Sequence, residues 1–137
     1  MIKQASTTIG AMVLCRYDST RLPGKVLAKF KGKEALLYIY ERLCLVLPES
    51  RIVVATSDEP SDDCIAQFCA RNQIACFRGS KDNVAARTLA CAGSFGFDYF
   101  IRICGDNVFI DPEVVRQGIE LLKERPYDLI SNLDQRT

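Results

Sequence analysis

Ten residues, Arg16-Tyr17-Asp18-Ser19-Thr20-Arg21-Leu22-Pro23-Gly24-Lys25, carry three cations, two hydroxyls, a proline and a glycine directly after an apolar run, Ile9–Cys15. Such a stretch is suited to a polyphosphate. Arg16 and Arg21 offer planar forks for phosphate oxygens and Lys25 a point charge. Ser19 and Thr20 add hydroxyl donors, and Gly24 lets the backbone come close to a ligand. The spacing is not that of a Walker loop, GxxxxGK[ST], nor of the dinucleotide fingerprint GxGxxG. A cationic loop is by default a solvated surface. Its position after the first apolar run and the pattern R-x(4)-R-L-P-G-K favour phosphate binding instead.

A second stretch, Gly105-Asp106-Asn107-Val108-Phe109-Ile110-Asp111-Pro112, follows another apolar run. A carboxylate facing a polyphosphate is commonly bridged to it by Mg²⁺, a hard cation that prefers oxygen. Asp106 is therefore the candidate metal ligand, and a turn aspartate the bland alternative. Asp111, just before Pro112, is expected to cap a helix. In Arg78-Gly79-Ser80-Lys81-Asp82-Asn83-Val84, Ser80 is either a contact for a base edge or a turn residue, and chemistry alone leaves both open. Thr56-Ser57-Asp58 reads as turn chemistry.

These loops need elements to hold them. Apolar runs at Thr8–Cys15, Arg51–Ser57, Ile74–Phe77, Asp98–Cys104 and Tyr127–Ser131 read as strands. Three- and four-residue apolar spacing predicts helices over Glu34–Leu47, from Ser61 or Asp62 to about Arg71, over Asp82–Ala92, and from Pro112 onward. Strand and helix alternate throughout. The expected fold is therefore α/β: three layers around a mostly parallel sheet, with the strand ending at Cys15 central. In such sheets ligands bind beyond the carboxyl ends of the strands, where the loops above lie.

The chain has 137 residues, which fits a single domain spanning 1–137. Net charge is +1, so nothing global points to nucleic acid or a membrane surface. The charge is local: six of the 18 Lys and Arg residues lie between Arg16 and Lys33, against one acid, Asp18. Seven cysteines without a CxxC, and no histidine, argue against structural zinc and for reduced thiols in a cytoplasmic protein. Cys15 and Cys104 flank the chemical loops; the alternatives for each are a reactive thiol and a small apolar residue, and the second is favoured for both. The start is too short and polar for a signal peptide, and no apolar run is long enough to span a membrane.

The motifs Arg16–Leu27 (RYDSTRLPGKVL), Val53–Asp63 (VVATSDEPSDD), Phe77–Val84 (FRGSKDNV) and Arg102–Val115 (RICGDNVFIDPEVV) resemble, in order, those of the sugar-activating cytidylyltransferases. That family includes enzymes making CMP-linked 3-deoxy-octulosonate and CMP-sialic acid, and the nearest branch is that of spore-coat polysaccharide biosynthesis protein F. The resemblance runs from Ile9 to Thr137. It implies a nucleotide-diphospho-sugar transferase fold and transfer of CMP from CTP to a sugar acid or related sugar, with release of pyrophosphate. It implies that Arg16 and Lys25 hold the triphosphate with Ser19, Arg21 and Gly24 beside them. It also implies that Arg78, Gly79 and Ser80 line the cytosine pocket and that Asp106 binds Mg²⁺. Arg16, Lys25 and Asp106 would be the catalytic set. Val108 stands where many relatives have proline, and Cys104 where many have a polar residue. Relatives continue past "SNLDQRT" into parts that supply the acceptor pocket, homodimer contacts and a second metal-binding aspartate. The alternatives are a nucleotide-binding fragment without turnover and a nucleotidyltransferase of the same fold that uses another nucleotide.

Overall fold

A computed structural model describes residues 7–18 and 21–131. Its elements follow in the order β1 (Ile9–Leu14), β2 (Lys29–Phe30), β3 (Lys33–Glu34), α1 (Ala35–Leu43), β4 (Ile52–Ser57), α2 (Asp63–Arg71), β5 (Ala75–Gly79), α3 (Val84–Phe95), β6 (Tyr99–Cys104) and α4 (Pro112–Glu124). Four strands form one sheet in the order β5-β4-β1-β6, and every pair in it is parallel. β1 pairs with β4 from Ala11 opposite Ile52 to Leu14 opposite Ala55, and with β6 from Ile9 opposite Tyr99 to Leu14 opposite Cys104.

β1 is an unbroken apolar run because both its faces are covered. Ile9, Ala11, Val13 and Cys15 pack with Leu36, Ile39 and Leu43 of α1, Ile65 and Phe68 of α2, and Val115 and Ile119 of α4. Met12 and Leu14 point the other way, onto Cys91 and Ala92 of α3. The period-two alternation of one strand thus divides the helices between two outer layers. The three-layer, mostly parallel fold and the inner position of β1 are as the sequence predicts.

Several element boundaries differ from those expected, and one expected strand is missing. α1 ends at Leu43, and residues 44–47 continue as turns rather than helix. α3 starts two residues later than expected and runs three further, to Phe95, where Gly96 at φ +68° closes it. β5 extends to Gly79. The expected strand at Tyr127–Ser131 is absent: the segment is irregular and Leu129 is 83% exposed. A strand needs a neighbouring strand for its backbone groups, and among the described residues no strand pairs with this segment. The structure adds a small hairpin, β2–β3, whose two-residue turn is Lys31 at φ 52° and Gly32 at φ 80°. Positive φ at both positions is the hairpin turn that follows strand twist. Among the described residues no helix is long and apolar enough to cross a membrane.

Candidate functional site

From β1 the chain moves to β4 and then to β5 on one side; β6 returns to the other side of β1. The strand order therefore reverses between β1 and β6, the point at which open α/β sheets leave a crevice beyond their carboxyl ends. A cleft of about 290 Å³ lies there. Leu14, Cys15 and Arg16 line it from the end of β1, and Arg102, Cys104, Gly105 and Asp106 from the end of β6. Lys25 and Val26 come from the following loop, and Val84 and Arg87 from α3.

The basic loop returns on itself to place Lys25. The Gly24 N–H donates to the Tyr17 carbonyl at 2.7 Å. Gly24 sits at φ +78°, and a Cβ there would lie 2.9 Å from the Tyr17 hydroxyl, so the turn requires glycine. A single 3₁₀ turn over Lys25–Leu27 follows and buries Val26. Lys25 Nζ then stands 3.4 Å from Asp106 Oδ2, a contact between residues 81 positions apart.

Asp106 is placed by Gly105. The Gly105 N–H donates to the Leu14 carbonyl at 2.8 Å, extending the pairing of β6 with β1 by one residue. A Cβ at position 105 would come within 2.5 Å of Cys15 Cβ and 3.2 Å of the Leu14 oxygen. Only glycine lets the Asp106 loop lie this close to β1.

Arg16, Lys25 and Asp106 are therefore brought together. Arg16 also reaches the Asp18 carbonyl through Nη2 at 3.4 Å. The other expected site residues lie elsewhere. Ser19 is outside the described residues. Arg21 is exposed and away from the cleft lining, and Gly24 acts through its turn. Arg78 is engaged with its own surroundings: Nε donates to the Ser57 carbonyl at 2.9 Å, and Nη2 donates to the Glu59 carbonyl and pairs with Asp63, both at 2.8 Å. Ser80 is exposed at the end of β5, and its hydroxyl accepts from the Asn83 N–H at 3.1 Å, a turn contact. Asp111 caps α4 as expected, with Oδ1 accepting from the Glu113 N–H at 2.9 Å.

The role of Asp62 is not legible in the sequence. Expected at most to cap α2, it makes no capping bond. Its side chain is buried, and Oδ1 accepts from the Tyr17 N–H at 2.7 Å while Oδ2 accepts from the Ser57 N–H at 3.2 Å and from the Ser57 hydroxyl. The start of the basic loop is thereby tied to the end of β4. Burial alone would push this carboxyl up, but the bonds from the Ser57 hydroxyl and the Tyr17 and Ser57 N–H groups outweigh it and hold it below the ordinary range. Arg87 and Arg102 were also missed as cleft residues. Arg87 stands four residues before Cys91, and both are buried; an arginine on the inner stripe of an Ala- and Cys-rich helix was the available signal. Cys15 is buried, and burial first, then the nearby Cys76 and Asp62, push its thiol up to about 12, in keeping with an unreactive apolar role.

Comparison with known proteins identifies the family and the fold. The family model described as cytidylyltransferase matches residues 11–137. The spore coat polysaccharide biosynthesis protein SpsF of Bacillus subtilis is 32% identical over 108 residues, 76% of this chain and 45% of that protein. The 3-deoxy-manno-octulosonate cytidylyltransferase of Geobacter sulfurreducens is 30% identical over 130 residues, 93% of this chain and 50% of that protein. Among solved structures, a cytidylyltransferase from Leptospira borgpetersenii superposes with a TM-score of 0.79 at 30% identity, covering 84% of this chain and 48% of that one. A CMP:2-keto-3-deoxy-manno-octonic acid synthetase complexed with CTP shares the fold, with a TM-score of 0.73 at 24% identity over 88% of this chain and 49% of that one. The chain spans about half the length of the curated relatives it matches. It belongs to the cytidylyltransferase family.

Proposed function

We propose that the cleft binds CTP and that the protein transfers CMP to a sugar acid or related sugar. The observation that carries this reading is the meeting of Lys25, Arg16 and Asp106 at the β1/β6 switch point. The relatives named for cytidylyl transfer, and the neighbour whose structure holds CTP, supply the nucleotide and the acceptor class. In the reaction the acceptor hydroxyl oxygen bonds to the α-phosphorus, the bond from that phosphorus to the bridging oxygen breaks, pyrophosphate leaves, and the hydroxyl proton passes to solvent. The protein's share is to position these groups and neutralise charge. Lys25 and Arg16 bind and orient the phosphates, and Gly24 and Gly105 set how closely the two loops approach.

Asp106 suits Mg²⁺ in one specific way. Among the described residues no cluster of three or more potential metal ligands exists. Mg²⁺, however, commonly takes one or two carboxylates plus substrate phosphates and keeps several waters. A single half-exposed carboxylate beside the phosphate loop fits that pattern and not an all-protein cage. When bound, the ion would offset negative charge on the phosphates. The reading places the reaction in the cytoplasm, where the nucleotide is found.

Titration calorimetry with CTP, UTP, ATP and GTP, together with pyrophosphate release from CTP over a panel of sugar acids, tests this. We expect CTP to bind best. Equal affinity for all four nucleotides would refute the assignment to cytidine.

A further inference from the structure

Arg87 is a charged cleft residue for which the proposed chemistry has no role. It is 3% exposed. Nη1 donates to the Ser80 carbonyl at 3.0 Å, while the buried Nε has no hydrogen-bond partner. Among the described residues no carboxylate forms an ion pair with it. Burial and the like charge of Arg16 both disfavour its cationic form. Asp62 acts the other way, but that carboxylate already accepts from Tyr17 and Ser57. A buried guanidinium lacking a counter-charge is costly on its own, and this one lines the cleft with Arg16 and Lys25. The fold also makes room for it. A Cβ at position 79 would lie 3.1 Å from Arg87 Cγ, tight enough to displace the stem, and position 79 is glycine.

We propose that Arg87 binds the α-phosphate of the nucleotide, the phosphorus at which transfer occurs. This rests on the reading of the cleft as a CTP site. Arg87 is bonded to the Ser80 carbonyl, in the loop that the family resemblance gives to the base, and lines the same cleft as Arg16 and Lys25, to which the reading gives the phosphates. The phosphate attached to the ribose lies between those two ends of a nucleotide. With Nη1 held by Ser80 and Nε buried, Nη2 is the nitrogen left to meet a phosphate oxygen. The Ser80 carbonyl thus acts as the brace that fixes the guanidinium.

The test compares wild type, Arg87→Met and Arg87→Lys by calorimetry with CTP, CMP and cytidine, alongside thermal denaturation of each free protein. Arg87→Met should weaken CTP and CMP by the same factor, about ten- to a hundredfold, and leave cytidine unchanged. Its melting temperature should not fall, because an uncompensated buried charge has been removed. Arg87→Lys, which keeps the charge but loses the guanidinium braced on Ser80, should fall between. Loss of CTP affinity without loss of CMP affinity would overturn the α-phosphate assignment. A lowered melting temperature with cytidine weakened in parallel would make Arg87 a structural residue. Unchanged affinities in Arg87→Met would refute the proposal while leaving the CTP site standing. A wild-type chain that binds none of the three ligands would instead refute the CTP site itself, and this proposal with it.

Discussion

Replacing Asp62 by alanine tests whether the basic loop is held by the sheet. The carboxylate is 1% exposed and satisfies the N–H groups of Tyr17 and Ser57 and the Ser57 hydroxyl. An unsatisfied buried donor costs about 1–3 kcal/mol. The Ser57 N–H is buried and has no ready substitute partner, so it bears most of that cost. Tyr17 is partly exposed, so its N–H can recover water, and the Ser57 hydroxyl can rotate. The loss should therefore be about 2–4 kcal/mol, below the sum over three donors. Asp62→Asn keeps one carbonyl acceptor and should lose about half as much. The pH dependence separates charge from shape. The folded carboxyl lies below its ordinary value, so its contribution is present above the unfolded value near pH ~4 and is lost as pH falls through the folded value. Urea denaturation at pH 7 and pH 3 should show wild type losing more stability in acid than Asp62→Asn loses. Wild-type stability in Asp62→Ala at pH 7, or the same acid slope in Asp62→Asn and wild type, would refute the tether.

Three further outcomes follow from the geometry. Gly105→Ala should cost about 1–3 kcal/mol in chemical denaturation, because its Cβ would meet Cys15 Cβ at 2.5 Å with the backbone of β1 behind it. Lys25→Ala should weaken CTP binding by about 1.5–3 kcal/mol in calorimetry and cytidine binding much less; equal losses would mean that Lys25 acts through folding. Cys15, buried with its thiol pushed up to about 12, should be alkylated by iodoacetamide at pH 8 far more slowly than exposed Cys104, as read by peptide mass spectrometry.

The layers of this fold could be read from the chain because parallel strands buried on both faces leave continuous apolar runs, as in Ile9–Leu14 and Ile52–Ala55. That the basic loop and Asp106 share one crevice was legible for a related reason: both follow such a run, so both reach the same end of the sheet; their direct contact was not. What escaped was non-local. Asp62 looks like any helix-opening aspartate until Tyr17, 45 positions away, is seen to donate to it. Arg87 reads as one polar residue on a short helix, and only the missing side chain at Gly79 and the position of α3 turn it to the cleft. Tyr127–Ser131 has strand composition, yet composition supplies no partner strand. The β2–β3 hairpin did leave a sign, Lys31-Gly32 between short polar runs, but two-residue strands lack the length for a periodic pattern.

The contact between Lys25 and Asp106 has a thermodynamic consequence for how the cleft fills. Each group is the other's counter-ion, so an anion that takes Lys25 must part it from Asp106, and a cation that takes Asp106 must do the reverse. For a pair this exposed the separation costs only ~0–1 kcal/mol. Whichever ion arrives first bears that cost, and the second finds its site already released. Coupling of this kind is reciprocal: the factor by which a phosphate improves cation affinity equals the factor by which the cation improves phosphate affinity. The ion pair thereby favours occupancy by both ions together over occupancy by either alone.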